Sequence, residues 1–383
     1  MSRISKYQEH IREFLKNKSF IKNTRESTRQ IITEMADETD HFLGILCLTI
    51  INHRCKQDGI KMHGYHLASG IEALGMVVKV MGARDYYDNR FTAERVSNMI
   101  MDVTNWFYNC LAENITTLRL SNEDKVDGKS VTNITTKCIN YAAKHISKIT
   151  EQKIYDQYFK MKKSDIFCID FDKVSVDNYR QMRRLDLSTM VENIHSTYGM
   201  MCRLAICLGW LIGMGDDQKL AELESLADSF GMLMKIQDDF KNHRRDMRYG
   251  SVCANVVVTH GIKEALILYD EAHLQYLEQS SIVGVETKTC NEIVKCIVDY
   301  VTECTADMSI DIDTDYDDIT SHASHISHAS HASHASRTSK GIASTVSHGS
   351  KSKANKAKTK ARQSKQDSDD MECAIDRHRV IIE

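Results

Sequence analysis

Apolar residues recur every three or four positions along most of the chain, which is the spacing of one face of an α-helix. Near the N-terminus, Ile4, Ile11 and Leu15 share such a face. The same periodicity predicts further long helices over residues 26–56, 63–89, 91–118, 131–162, 175–214, 217–245, 254–281 and 285–307. Strand-like alternation is scarce. The pattern therefore predicts an all-α domain over residues 1–308.

The pattern changes after that domain. Residues 311–318 carry five aspartates, a histidine stands at every third position from His322 to His334, and residues 337–365 carry nine basic residues and no acidic one. Such a segment has too little apolar surface to offset the entropy lost on ordering. We therefore predict that residues 309–383 form a disordered low-complexity tail, and we interpret the histidine repeat as a spacer.

Composition narrows the functional class. The 383-residue chain has a net charge of −3, which argues against specific nucleic-acid binding, and it has no proline, so the commonest helix breaker is missing. Twelve cysteines are scattered through it, and the N-terminus lacks the apolar core of a signal peptide. We expect an intracellular, cytoplasmic location with reduced thiols. The apolar runs are too short for a transmembrane segment.

Two acidic motifs stand at predicted helix ends. Asp238 and Asn242 are four residues apart and share a helix face, and Asp239 is adjacent. Carboxylate and amide oxygens are the ligands that Mg²⁺ prefers, usually together with substrate phosphates. Asp85 and Asp88 form a second acidic pair. We expect the two motifs to hold a diphosphate through shared metal ions, which would neutralise charge on the leaving group.

The residues around these motifs resemble those of trans-isoprenyl diphosphate synthases, the polyprenyl synthetase family. Residues 230–242, FGMLMKIQDDFKN, are similar to the second aspartate-rich motif, and the final Asn is most like eukaryotic-type geranylgeranyl diphosphate synthases. Residues 197–205, TYGMMCRLA, are similar to the family's Lys-Thr-Gly-Gly-Leu-Phe-Arg-Leu-Ala helix. Residues 83–89 stand where the first motif belongs, and residues 21–25 look like the Gly-Lys-x-x-Arg element.

The resemblance implies the isoprenoid synthase fold, a single helical bundle around a central cavity. It also implies a homodimer and a Mg²⁺-dependent condensation of an allylic prenyl diphosphate with isopentenyl diphosphate. Carried over to this chain, the metal ligands are Asp85, Asp88, Asp238, Asp239 and Asn242, of which the four aspartates are also catalytic. The residues that would bind substrate are Lys22, Arg25, Arg95, Thr197 and Lys235.

Several positions depart from the family pattern. Arg84 stands where the first motif begins with Asp, Thr197 and Tyr198 replace the Lys-Thr pair, and Lys235 and Gln237 replace a Gln and an Arg. The resemblance also implies that product length depends on the bulk of the cavity wall just before the first motif. The candidates for this wall are Val77, Val78, Met81 and Gly82.

Two alternatives to a synthase remain open. Asp238, Asn242 and Asp246 match the spacing of the metal triad of class I terpene cyclases. The second alternative is a catalytically impaired pseudoenzyme or regulatory subunit with the same fold, and Arg84 is its main argument because it removes a metal ligand.

Overall fold

The described residues of the computed structural model are 3–17, 24–60, 63–122, 126, 128–159, 186–249 and 255–307. Three predictions lie outside these ranges: the tail at 309–383, the substrate-binding residue Lys22, and most of the first third of the helix predicted at 175–214.

Within those ranges the chain forms helices and no β-strand, so the all-α prediction is confirmed. The α-helices are α1 Arg3–Lys16, α2 Glu26–Glu38, α3 Phe42–Asp58, α4 Tyr65–Gly82, α5 Arg84–Phe91, α6 Ala93–Ser121, α7 Gly128–Phe159, α8 Leu187–Ile194, α9 Met200–Ile212, α10 Leu220–Tyr249, α11 Val256–Thr259, α12 Ile262–Val283 and α13 Lys288–Asp307. A π-helical turn, His195–Gly199, joins α8 to α9, and a 3₁₀ turn, Asp217–Lys219, precedes α10.

Three ranges predicted as single helices are in fact interrupted: 26–56, 63–89 and 254–281. His41, between α2 and α3, has a φ of 58°, and Gly261, between α11 and α12, has a φ of 90°. Ala83 leaves helical geometry with a φ of −118° between α4 and α5. The predictions of continuous helices were wrong because apolar periodicity continues across a break of one or a few residues. The backbone changes direction at such a break.

The core lies where α3, α4, α9 and α10 pack together. In α3 every residue from Phe42 to Ile51 is buried, and in α9 all but one residue are buried. Helices that are apolar on all sides belong in the centre of a large domain, surrounded by other helices. These two therefore form the centre of the bundle, and α4 and α10 border the cleft described below.

A close backbone contact fixes the position of the π-helical turn against α10. A Cβ added to Gly231 of α10 would lie 2.6 Å from the Cα and the nitrogen of Gly199. Only glycine allows the two backbones to approach so closely. As a result, Tyr198 is held beside α10.

No helix among the described residues is long and apolar enough to cross a bilayer.

Candidate functional site

A cleft opens between α4, α10, the start of α9 and the segment that precedes α3. Its enclosed space is about 40 Å³, and it holds about 620 Å³ when its open mouth is counted. Its charged and polar lining residues include Asp40, His41, Glu72, Lys79, Tyr198, Asp238 and Lys241, and its apolar ones include Phe42, Leu43, Val78, Met201 and Met234. Apolar side chains and convergent charged groups thus meet in one concave site, as expected for a ligand that carries both an apolar and a charged part.

Asp238 lines this cleft and is partly exposed. The Tyr198 hydroxyl donates to its Oδ2 at 2.7 Å, and the Asn242 amide donates to its Oδ1 at 2.9 Å. Burial alone would raise the pKa of Asp238, but the positive charge of Lys79 and the Tyr198 hydrogen bond outweigh it, so the pKa is lowered. Asp238 therefore presents an ionised carboxylate to the cleft at neutral pH.

Asp239 points elsewhere, into a buried cluster at the start of α11. It is 1% exposed, forms an ion pair with Lys235 through Oδ1, and accepts the Val256 backbone N–H through Oδ2 at 2.9 Å. The Asn255 amide donates to its backbone carbonyl at 3.0 Å. Burial raises the pKa of Asp239 to about 7, against the effect of Lys235. Asp239 thus connects α10 to α11, and it is not among the residues that line the cleft.

Asp246 belongs to the same buried cluster as Asp239. The Asn255 amide donates to its Oδ2 at 3.0 Å, and the Arg245 guanidinium donates to its Oδ1 at 2.9 Å. Of the cyclase-type triad, Asp238 and Asn242 are hydrogen-bonded to each other, whereas Asp246 accepts from Asn255 and Arg245.

One aspartate of the first acidic motif, Asp88, is paired with an arginine of the same motif. Arg84 Nε donates to Asp88 Oδ1 at 2.6 Å, and Arg84 also donates to the hydroxyl of Ser97 at 2.8 Å. Asp85 is exposed. The guanidinium of Arg245 lies 5.7 Å from the ring centre of Tyr86, so an aromatic ring and a cation lie at the contact between this motif and α10.

The five predicted metal ligands are therefore not assembled at one point. Across the described ranges, no group of three or more His, Cys, Asp or Glu side chains has a geometry that could hold a metal ion. Asp238, which lines the cleft, is hydrogen-bonded to Asn242, which does not line it, while Asp88 and Asp239 each have a cationic partner.

Two predicted substrate-binding arginines lie at the packing surface between α2 and α6. Arg25 donates to Asn98 Oδ1 at 2.6 Å, and Arg95 donates to Gln30 Oε1 at 2.6 Å. Neither arginine lines the cleft. Both therefore stand apart from Asp238 in this structure.

The remaining substrate-binding predictions also fall away from the cleft lining. Thr197 is 3% exposed and donates to the Asn193 carbonyl at 2.8 Å, within its own helical segment. Lys235 is the partner of Asp239. Of the predicted wall residues, Val78 lines the cleft.

The sequence interpretation missed most of the lining residues, among them His41, Glu72 and Lys79. A signal for two of them was present, because Glu72 is a single carboxylate in an otherwise apolar helical stretch and Lys79 lies seven residues later, on the same helix face. Lys79 forms no ion pair with a described residue. His41 left no sequence signal, because its position depends on the break between α2 and α3.

The sequence matches no family model and no curated protein at a significant level. Among solved structures, it is similar to an FPP/GFPP synthase from Zymomonas mobilis, with a TM-score of 0.50, 11% identity, and coverage of 77% of this chain and 98% of that chain. A geranylgeranyl pyrophosphate synthetase from Geoglobus acetivorans has a TM-score of 0.49 at 12% identity, covering 78% and 99%. A geranyltransferase from Helicobacter pylori, complexed with magnesium and isoprenyl diphosphate, has a TM-score of 0.46 at 10% identity, covering 79% and 99%.

The first of these similarities, together with the all-helical architecture, shows that the chain has the isoprenoid synthase fold. The predicted fold class is thereby confirmed. At this level of identity the likeness concerns the fold, so the activity has to be argued from the cleft.

Proposed function

We propose that this protein is an isoprenyl diphosphate synthase, a transferase that condenses an allylic prenyl diphosphate with isopentenyl diphosphate. The observation that carries the proposal is Asp238, an ionised carboxylate on the cleft with Lys79 facing it. The diphosphate would lie at this end. The prenyl chain would lie along the apolar wall formed by Val78, Met201 and Met234.

Magnesium is part of the proposal, and some of the predicted metal ligands are placed so that they could bind it. Asp238 offers a carboxylate at the cleft, and the Asn242 amide is hydrogen-bonded to it. Mg²⁺ in such sites often has one or two carboxylates, several waters and the phosphates of the substrate. Asp88 and Asp239 do not fit a metal as they lie, because Arg84 and Lys235 neutralise them. We propose that Asp238 and Asn242 would hold the ion, which would supply positive charge opposite the leaving diphosphate.

Charge around the cleft supports binding of metal and substrate together. Lys79 and Lys241 are offset by Asp238 and Asp40, and Lys241 lies 3.5 Å from an Asp40 oxygen. A multiply charged diphosphate therefore finds little net positive charge in the protein alone. We expect it to bind as its magnesium complex.

The test is a turnover assay on the purified full chain. Mg²⁺, isopentenyl diphosphate and allylic diphosphates of several lengths are supplied, and the products are identified by mass; a geranylgeranyl-type product is expected. Asp238→Asn should lower turnover at least about hundredfold, because it removes the charge that the site depends on. Glu222→Gln makes the same chemical change at an exposed position of α10 and should have no effect. Equal activity of Asp238→Asn and the wild type would reject the assignment.

One observation favours a second candidate, a catalytically impaired member of the same fold that binds prenyl diphosphates. Two of the aspartates are held by cations that belong to the chain itself, at Arg84–Asp88 and Lys235–Asp239. Prenyl diphosphate binding without turnover, under any metal, would select this candidate. Release of diphosphate with a hydrocarbon or alcohol product would instead indicate a cyclase.

The proposal extends to assembly and location. We propose a homodimer in the cytoplasm, as the resemblance implies. Light scattering of the purified chain tests the first part, and fluorescence microscopy of a tagged chain tests the second. A monomer at micromolar concentration would contradict the dimer.

A further inference from the structure

The wall of the cleft carries a buried polar pair that the proposed reaction does not use. His41 is 0% exposed; its ring lies close to the Ala36 backbone carbonyl, which favours the protonated ring, but neither ring nitrogen forms a hydrogen bond of full geometry with a described residue. Its Nδ1 lies 3.8 Å from Oε1 of Glu72, which is 3% exposed. Both side chains line the cleft. Buried polar atoms without partners are unfavourable, so the incompletely bonded His41 ring beside a ligand cavity points to a partner that the ligand supplies.

Both side chains are held in place. The Gly44 backbone N–H donates to Glu72 Oε2 at 2.9 Å, which fixes the carboxylate with Oε1 towards His41. His41 itself has a φ of 58° and a ψ of 23°. An L-residue keeps this left-handed conformation only where the surrounding structure imposes it, and such residues cluster at ligand sites.

The pair lies along the proposed path of the prenyl chain. Glu72 and Lys79 are seven residues apart on α4, which places them about 10 Å apart along the helix axis at 1.5 Å per residue. Gly75 and Val78 line the cleft between them. A ligand with its diphosphate near Lys79 would therefore reach the pair with the far part of its chain.

We propose that His41 and Glu72 bind a hydroxyl group carried by the prenyl chain of the ligand; this inference rests on the proposed function. A neutral imidazole offers one donor and one acceptor, and a hydroxyl group can satisfy both roles. Burial lowers the pKa of His41 to about 4 and raises the pKa of Glu72 to about 7. The ring is therefore neutral at neutral pH, which suits an uncharged partner. A water molecule is the competing occupant.

Calorimetry with two stable probes tests the inference on the full chain in the presence of Mg²⁺. The probes are geranyl S-thiolodiphosphate and its derivative with a hydroxyl group at the far end of the chain. The hydroxylated probe should bind about tenfold more tightly, which is the effect of one or two buried hydrogen bonds. Equal or weaker binding of that probe would overturn the inference and leave the proposed function intact. Failure of both probes to bind would refute the proposed function and this inference with it.

Variants of His41 and Glu72 test whether these two side chains cause the preference for the hydroxylated probe. Glu72→Leu and His41→Asn should bind both probes with the same Kd; Asn is chosen because it tolerates the left-handed backbone. Glu72→Gln keeps an acceptor for the Gly44 N–H and should retain part of the preference. Glu222→Gln, far along α10, is the control for full preference. An undiminished preference in Glu72→Leu would overturn the inference. If a variant does not fold, the comparison of the two probes on the wild-type chain still tests the inference.

Discussion

Replacing Asp239 by Asn distinguishes a structural carboxylate from a metal ligand. Asp239 is 1% exposed and Lys235 is 9% exposed, and the two form a buried ion pair. Removing one partner of a buried pair leaves an uncompensated charge, which typically costs about 3–5 kcal/mol. The Lys235 side chain can extend its ammonium towards solvent, so we expect the low end, about 3 kcal/mol.

The reverse substitution should cost less. In Lys235→Gln the carboxyl of Asp239 can take up a proton, because burial already raises its pKa to about 7. The double variant Lys235→Gln/Asp239→Asn leaves two neutral amides and should recover most of the loss. The two single costs should therefore sum to more than the cost of the double variant.

Urea unfolding at pH 7, followed by circular dichroism, measures these free energies. Asp238→Asn is the matched control, since its partly exposed carboxylate should cost about 1 kcal/mol or less. A pure metal ligand would behave differently: Asp239→Asn would leave the free energy of unfolding within about 0.5 kcal/mol of the wild type while turnover fell. That outcome would refute the structural role assigned here.

Three further predictions follow from single contacts. Arg84→Asp should free Asp88 and raise Mg²⁺-dependent turnover severalfold, at a stability cost below about 1 kcal/mol for this partly exposed pair; unchanged or lower turnover would contradict the inhibitory role of the arginine. Burial raises the pKa of Glu72 from 4.5 to about 7, so its contribution to stability is present below pH 4.5 and is lost as the pH rises towards 7, by at most about 3 kcal/mol. Unfolding measured at pH 5 and pH 8 should show a smaller loss in Glu72→Gln than in the wild type, and identical losses would count against a buried carboxyl. Gly231→Ala should displace the π-helical turn, because its Cβ would lie 2.6 Å from the Gly199 backbone. Thermal unfolding should show a lower unfolding temperature for this variant, and an unchanged temperature would show that the contact is looser.

The candidate site shows which features neighbouring residues in the sequence predict and which they do not. Asp238 could be selected from its neighbours in the motif, and it does line the cleft. The partners of Asp239 could not be predicted, since Asn255 and Val256 are 16 and 17 residues away along the chain. Lys235 and Arg84 stand four residues from Asp239 and Asp88, so from the sequence they could either replace lost substrate-binding cations or pair with these carboxylates. The folded helices show that they pair.

By itself the sequence determined the helical class, because the periodicity of apolar residues is a property of neighbouring residues. It also determined that acidic residues stand near the end of α10. Only the tertiary structure decided which of them faces the cleft. Adjacent residues on a helix point about 100° apart, so Asp238 and Asp239 have different surroundings, and those surroundings are supplied by helices distant in sequence. The same reason hid His41 and Glu72, whose meeting depends on how α4 packs against the break before α3.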